Sequence, residues 1–199
     1  MDWLRYRWHF DNCLAVDSVG RGGGLTLLWM NEAQLEVKFF SVQYIDAYIG
    51  DSNGANMWRF TGFYGSPEVS QRIRSWDMLR QLKNQSSLPW LCAGDFNEIL
   101  GDDEKIGGLL RPTRQMESFR HVLHDCNFIE VPFTSPKFTW SRGRGSSKIF
   151  ERLDRGLANE SLFSLFPMLH EEHILAVFSD HAVLFFNFTN QQKQVRKQK

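Results

Sequence analysis

Trp90-Leu91-Cys92-Ala93-Gly94-Asp95-Phe96-Asn97 carries the plainest structural message in this chain. Four apolar residues in a row, with no polar alternation, fit a short central strand covered on both faces. The Gly-Asp-x-Asn turn that follows ends the strand and sets a carboxylate at its mouth. Charge in such a place is costly unless something pairs with it. Two further signatures share the arrangement. Arg152-Leu153-Asp154-Arg155 follows Ile149-Phe150, and Ser179-Asp180-His181 precedes the apolar run 182–188. Three carboxylates and a histidine at the ends of apolar runs imply one shared cation and one acid–base partner, the outline of a metal-assisted hydrolase.

Working outward, residues 25–30, 37–42 and 58–63 read as further strands, and the glycine-rich turn 50–54 separates the last two. Ser66-Pro67 suits a helix start, and Ile73, Trp76, Leu79 and Leu82 mark a helical stripe running to about Lys83. A second helix begins near Thr113 with Met116, Phe119, Val122 and Leu123 inward. Residues 138–140 and 148–152 read as a hairpin, Asn159 as the cap of a short helix ending at Pro167, and 182–188 as the last strand. Strands dominate, with two or three helices between them. The expected class is a layered α/β or α+β domain.

At 199 residues, 42% hydrophobic and 14% aromatic, the chain can bury one core. No internal repeat divides it. The expected organisation is one domain over 1–189 and a polar basic tail over 190–199. Twenty-three basic residues balance 23 acidic ones, which argues against binding nucleic acid through bulk charge alone. A metal cluster and a local arginine patch can still attract a polyanion. Cys13, Cys92 and Cys126 have no metal-ligand spacing and read as reduced thiols. No apolar run approaches a membrane span, and the first residues lack a signal-peptide pattern. These features lead to the expectation of an intracellular protein, in nucleus or cytoplasm, without a membrane partner.

Each motif has a plainer reading. Asp95 and Asn97 suit holding Mg²⁺ or a nucleophilic water and orienting a phosphate oxygen, but the same residues make an ordinary Asx-turn. Asp180-His181 suits proton transfer, or a surface turn with a capping aspartate. Asp154, between Arg152 and Arg155, suits a structural ion pair as well as a site. His121 and His124 near Cys126, and His170 and His173 around Glu171-Glu172, lack the second ligand pair that zinc needs. The glycine run 20–24 precedes a strand and lacks the Lys-Ser/Thr of a phosphate loop, so it reads as a turn. Arg142, Arg144 and Lys148 crowd the hairpin loop, with Trp140 at its base. They suit a grip on a nucleic-acid backbone or a solvated tip. Arg111 and Arg114 extend the same basic rim.

Together these motifs resemble the endonuclease/exonuclease/phosphatase superfamily, and more narrowly the endonuclease region of plant LINE-type (non-LTR) retrotransposon polyproteins. The narrower resemblance rests on Gly20 to Gly24 with Leu25 to Trp29, Phe63-Tyr64-Gly65-Ser66-Pro67, Gly94-Asp95-Phe96-Asn97-Glu98-Ile99-Leu100 and Glu104-Lys105-Ile106-Gly107-Gly108. Phe138-Thr139-Trp140-Ser141, Arg152-Leu153-Asp154-Arg155, Phe166-Pro167 and Ser179-Asp180-His181 complete it.

The resemblance implies a two-sheet β-sandwich flanked by helices, with a Mg²⁺ (or Mn²⁺) site at one edge, DNA as substrate and a fused reverse transcriptase as companion. It places Asp95 on the metal or the attacking water, and Asn97 and Tyr64 on the phosphate. Asp180 binds the metal or orients the water, and His181, counted with the metal residues, contacts the phosphate or transfers the proton, paired with Asp154. The family begins with a strand carrying an asparagine and a strand ending in a metal-binding glutamate, which Met1 to Val19 does not match. The expectation is therefore a fold with its first strands missing and an impaired or inactive DNA hydrolase. A phosphatase of the same superfamily and a non-catalytic nucleic-acid-binding remnant are the alternatives.

Overall fold

A computed structural model describes residues 2–18, 24–50 and 56–188. Most of the glycine run (20–23), the turn residues 51–54 and the tail 190–199 lie outside them. The elements run α1 (Asp2–Arg7), β1 (Asn12–Val16), β2 (Leu25–Trp29), β3 (Leu35–Phe40), β4 (Tyr44–Ile49), β5 (Trp58–Tyr64), α2 (Arg72–Gln85), β6 (Trp90–Asp95), β7 (Lys105–Ile106) and α3 (Thr113–Asp125). They continue with β8 (Ile129–Glu130), β9 (Phe133–Thr134), β10 (Trp140–Arg142), β11 (Ile149–Glu151), β12 (Asp154–Ala158), α4 (Glu160–Leu165), β13 (His170–Leu175) and β14 (Ala182–Asn187).

The central sheet has six strands in the order β3-β4-β5-β6-β12-β8. β5 and β6 are parallel and joined through α2, while β12 returns antiparallel to β6. Period-two alternation divides its side chains between two cores. Phe63, Trp90 and Cys92 face the helices and pack with Trp76, Leu79 and Leu82 of α2 and Phe119 and Val122 of α3. The Trp76 ring stacks on Phe119 at 4.7 Å, tying the two helices together. Leu91, Ala158 and Phe60 point the other way, into a core with Leu162 of α4 and Phe186 of β14. There the sheet meets a second, three-stranded sheet, β14-β13-β9. The approach is close at Gly156 of β12, where a Cβ would stand 2.3 Å from the Phe186 ring. The result is a mixed α/β fold of several sheets with helices on the flanks.

Two local expectations need correction. Ser66 does not cap α2: its hydroxyl accepts the Glu68 N–H in a local turn, and a 3-10 turn over Val69–Gln71 delays the helix to Arg72. The inward stripe of α2 is Arg72, Ser75, Trp76, Leu79 and Leu82, whereas Ile73 is 53% exposed. Arg72 takes the inner face because the buried Glu98 carboxylate receives it there. Ahead of the glycine run, β1 pairs antiparallel with β2 in a separate two-stranded sheet.

Candidate active site

Four strand ends meet on one edge of the central sheet. β5 and β6 run parallel, so their carboxyl ends lie side by side, and Tyr64 is in register with Asp95. β12 starts where β6 ends, which sets Asp154 directly opposite Asp95 across an antiparallel pair. His181 arrives from the start of β14 through a bridge to Trp140, reinforced by the Ala182 N–H donating to the Thr139 carbonyl. Ligating atoms of Asp95, Asp154 and His181 all lie within 4.8 Å of one another. Like charges placed opposite each other on neighbouring strands destabilise a sheet, which makes the pair a candidate site.

The turn after β6 is built for this. Gly94 has φ 144° and a Cβ there would collide with the Phe63 carbonyl oxygen at 2.1 Å. Asn97 sits in the left-handed region at φ 54°, which asparagine tolerates better than most residues. From there its backbone N–H donates to Asp95 Oδ1 and its side-chain amide to Oδ2, both at 2.8 Å. The same amide reaches the Gly65 carbonyl at 3.0 Å, locking the β5 end to the β6 turn. Asp154 is fixed differently: the buried Thr139 hydroxyl accepts the N–H groups of both Leu153 and Asp154.

Burial, aided by the facing Asp154, pushes the Asp95 carboxyl up from 3.8 to about 7. The hydrogen bond from His181 Nδ1 to Asp154, at 2.9 Å to Oδ2, raises the histidine above its ordinary 6.5. Asp154 is therefore not the partner of its sequence neighbours. Arg152 and Arg155 pair instead with Glu104 and Glu130, in a buried network that the Glu104 to Gly108 signature anchors.

Of the remaining residues singled out in the sequence, Asp180 is exposed and stands outside the three-residue cluster. Its carboxylate accepts the Trp140 indole N–H at 3.0 Å. Arg142, Arg144 and Lys148 are all exposed on the hairpin between β10 and β11. Arg111 does not join that rim, because Glu98 and Glu151 hold it in ion pairs, each at 3.0 Å. Arg114 lies exposed on α3. Thr139 lies in the Phe138-Thr139-Trp140-Ser141 signature but carries no assigned role in the sequence. Membership of that signature and its place at the base of the hairpin are what signal it.

The donor set fits a hard divalent cation. Two carboxylates forced together in a half-buried edge need a positive partner, and Mg²⁺ or Mn²⁺ takes oxygen ligands while keeping waters and substrate phosphates in its shell.

The sequence matches the Endonuclease/Exonuclease/phosphatase family over residues 3–181. Among solved structures, the endonuclease domain of TRAS1, a telomere-specific non-LTR retrotransposon, superposes with a TM-score of 0.66 at 13% identity, covering 92% of this chain and 83% of that one. The 3′ phosphatase NExo from Neisseria, bound to a product DNA hairpin, gives 0.61 at 16% identity, over 90% and 79%. The catalytic domain of human Nocturnin gives 0.53 at 14% identity, over 95% and 76%. At these identities the likeness is one of fold. No curated protein matches the sequence.

Proposed function

The chain belongs to the endonuclease/exonuclease/phosphatase family, and from that premise we propose that it hydrolyses phosphodiester bonds of DNA with the help of Mg²⁺ or Mn²⁺. The observation that carries this is the convergence of Asp95, Asp154 and His181 within 4.8 Å at the strand ends. The basic hairpin with Arg142, Arg144 and Lys148 supports a polyanionic substrate. The TRAS1 endonuclease fold and the signatures from Phe63 to His181 support a LINE-type retroelement endonuclease, of the plant kind, working beside a reverse transcriptase.

A bound cation would polarise the phosphate and make water a better nucleophile. The chain's own residues do the rest. Asp95 would hold the cation or the attacking water, and burial raises its proton affinity when no cation is bound. Asn97 holds that carboxylate still through two hydrogen bonds. His181 gives its Nδ1 to Asp154, which leaves Nε2 to donate to a phosphate oxygen as charge builds there. Tyr64, beside Asp95, lines the phosphate side. Two carboxylates are a sparse ligand set, and the reading includes weak cation affinity with low turnover.

A supercoiled-plasmid nicking assay tests this. Mg²⁺-dependent nicking by the wild-type chain, lost in Asp95→Ala, is expected. A 3′-phosphorylated oligonucleotide run in parallel separates strand cleavage from phosphate removal. Nicking that persists in Asp95→Ala or in excess chelator defeats the proposal.

A further inference from the structure

Glu171 and His173 are a buried titratable pair that the proposed chemistry leaves idle. They stand two residues apart on β13, turned into the sandwich, with both side chains fully buried. His173 Nε2 lies 2.7 Å from Glu171 Oε1, and its Nδ1 lies 2.7 Å from the Pro136 carbonyl oxygen. A carbonyl only accepts, so Nδ1 carries a hydrogen, and ring and carboxylate share one further proton across the Nε2–Oε1 contact. The ring also stacks on Phe133 at 4.8 Å, and Phe133 in turn carries the Arg152 guanidinium 4.1 Å from its centroid.

The second carboxylate oxygen completes a ladder that the strands leave open. β8 ends at Glu130, opposite Leu157, and the Val131 N–H donates to the Gly156 carbonyl. The Gly156 N–H points the same way, past the end of β8, where a buried donor without a partner is costly. Glu171 Oε2 accepts it at 2.6 Å. A Cβ at position 156 would stand 2.6 Å from that oxygen, so the glycine lets the carboxylate in.

Each end of this bridge grips a segment that fixes Asp154. Gly156 lies two residues beyond Asp154 on β12. Pro136 lies three residues before Thr139, whose hydroxyl accepts the Asp154 N–H and whose carbonyl accepts the Ala182 N–H beside His181. Asp154 therefore hangs between two supports that the Nε2–Oε1 contact joins.

We infer that Glu171 and His173 are positioning residues for the proposed hydrolysis, a proton-sharing clamp between the two sheets that sets the Asp154 carboxylate where it faces Asp95 and holds His181. They touch neither cation nor substrate. This rests on the reading of the strand ends as the reacting site, and the two can fail separately.

The test uses the full chain and three variants. Glu171→Gln keeps every hydrogen bond, its carbonyl accepting the Gly156 N–H and its amide donating to Nε2, without a shared proton. His173→Phe keeps the stack on Phe133 and breaks the clamp. Glu171→Gln combined with His173→Phe also breaks it but buries no lone carboxylate, which guards against a single variant that fails to fold. Nicking kinetics in Mg²⁺ are measured below each protein's thermal transition, and Mn²⁺ binding at pH 8 is measured without DNA. Both histidine variants should lose about tenfold in kcat with KM for DNA unchanged, and about tenfold in Mn²⁺ affinity, because a displaced carboxylate serves ion and transition state poorly. Glu171→Gln should keep both within a few-fold of wild type. A folded histidine variant with wild-type kcat and Mn²⁺ affinity overturns the inference, as does a Glu171→Gln chain impaired as much as the histidine variants. Histidine variants that do not fold at all make the pair a structural staple and overturn it too. A wild-type chain that binds Mn²⁺ but nicks no DNA removes the phosphodiesterase reading, and the variants' Mn²⁺ affinities still decide the clamp. One that neither binds Mn²⁺ nor nicks DNA removes both.

Discussion

Replacing Asp95 with asparagine separates the site's cost in stability from its use in catalysis. The folded chain holds a proton on Asp95 up to about pH 7, whereas an unfolded aspartate releases it near 3.8. Between those values the folded state binds more protons, so stability is greatest below about pH 4 and falls as pH rises through 7. At about 1.4 kcal/mol for each tenfold change in proton affinity, ionising Asp95 in place costs about 4 kcal/mol by pH 8. Asparagine never ionises. It keeps the hydrogen bond from the Asn97 backbone but turns its own amide toward the Asn97 side chain, a loss of about 1 kcal/mol. Urea unfolding in chelator should therefore find Asp95→Asn about 1 kcal/mol less stable than wild type at pH 4 and about 3 kcal/mol more stable at pH 8. The same variant should not nick DNA. A difference between the two proteins that stays constant from pH 4 to 8 refutes the electrostatic reasoning.

The same proton should appear in the activity. Nicking is expected to rise with pH as Asp95 ionises, with a midpoint that moves down as Mg²⁺ is raised, and to decline at higher pH as His181, raised by Asp154, loses its proton; a pH-independent rate contradicts both roles. Thr139→Val keeps the side-chain shape but strands the N–H groups of Leu153 and Asp154, and should cost about 2–4 kcal/mol by urea unfolding and slow cleavage by misplacing Asp154. Arg155→Ala leaves the Glu104 carboxylate buried beside fewer partners and should cost about 3–5 kcal/mol, whereas the surface change Arg144→Ala should leave thermal stability unchanged.

Some of this architecture is legible in the sequence and some is not, for physical reasons. α3 declares itself because Met116, Phe119, Val122 and Leu123 follow the helical period, and those residues form its buried face. The short helix after Asn159 is equally plain, since the Asn159 side chain does accept the Leu162 N–H. β12 and β13 are hidden. β12 opens with Asp154-Arg155, and β13 reads His170-Glu171-Glu172-His173, runs that look like solvated loops. Their charges are in fact turned inward and paired, Arg155 with Glu104 and Glu171 with His173 at 2.7 Å. β4 is masked in the same way by Asp46, buried against Arg59. Hydropathy cannot reveal a strand whose inward side chains are ions, because their partners come from distant positions. Within the site, Asp95, Asp154 and His181 stand out in the sequence because each ends or begins an apolar run. Spacing alone does not say which carboxylate the histidine faces, Asp154 or Asp180; the family resemblance names Asp154. Three-dimensional register decides it: β12 against β6 delivers Asp154, and Trp140 draws Asp180 away.

Direct titration with Mn²⁺, followed by loss of the free-ion paramagnetic resonance signal, examines the central pairing of Asp95 with Asp154 without needing a substrate. Wild type should bind one ion at pH 8, weakly, and less tightly at pH 6 as Asp95 takes up its proton. Asp95→Asn and Asp154→Asn should each abolish that binding. A wild-type chain that binds no ion at pH 8, or binding left intact in both variants, contradicts the assignment of this cluster as the catalytic metal site.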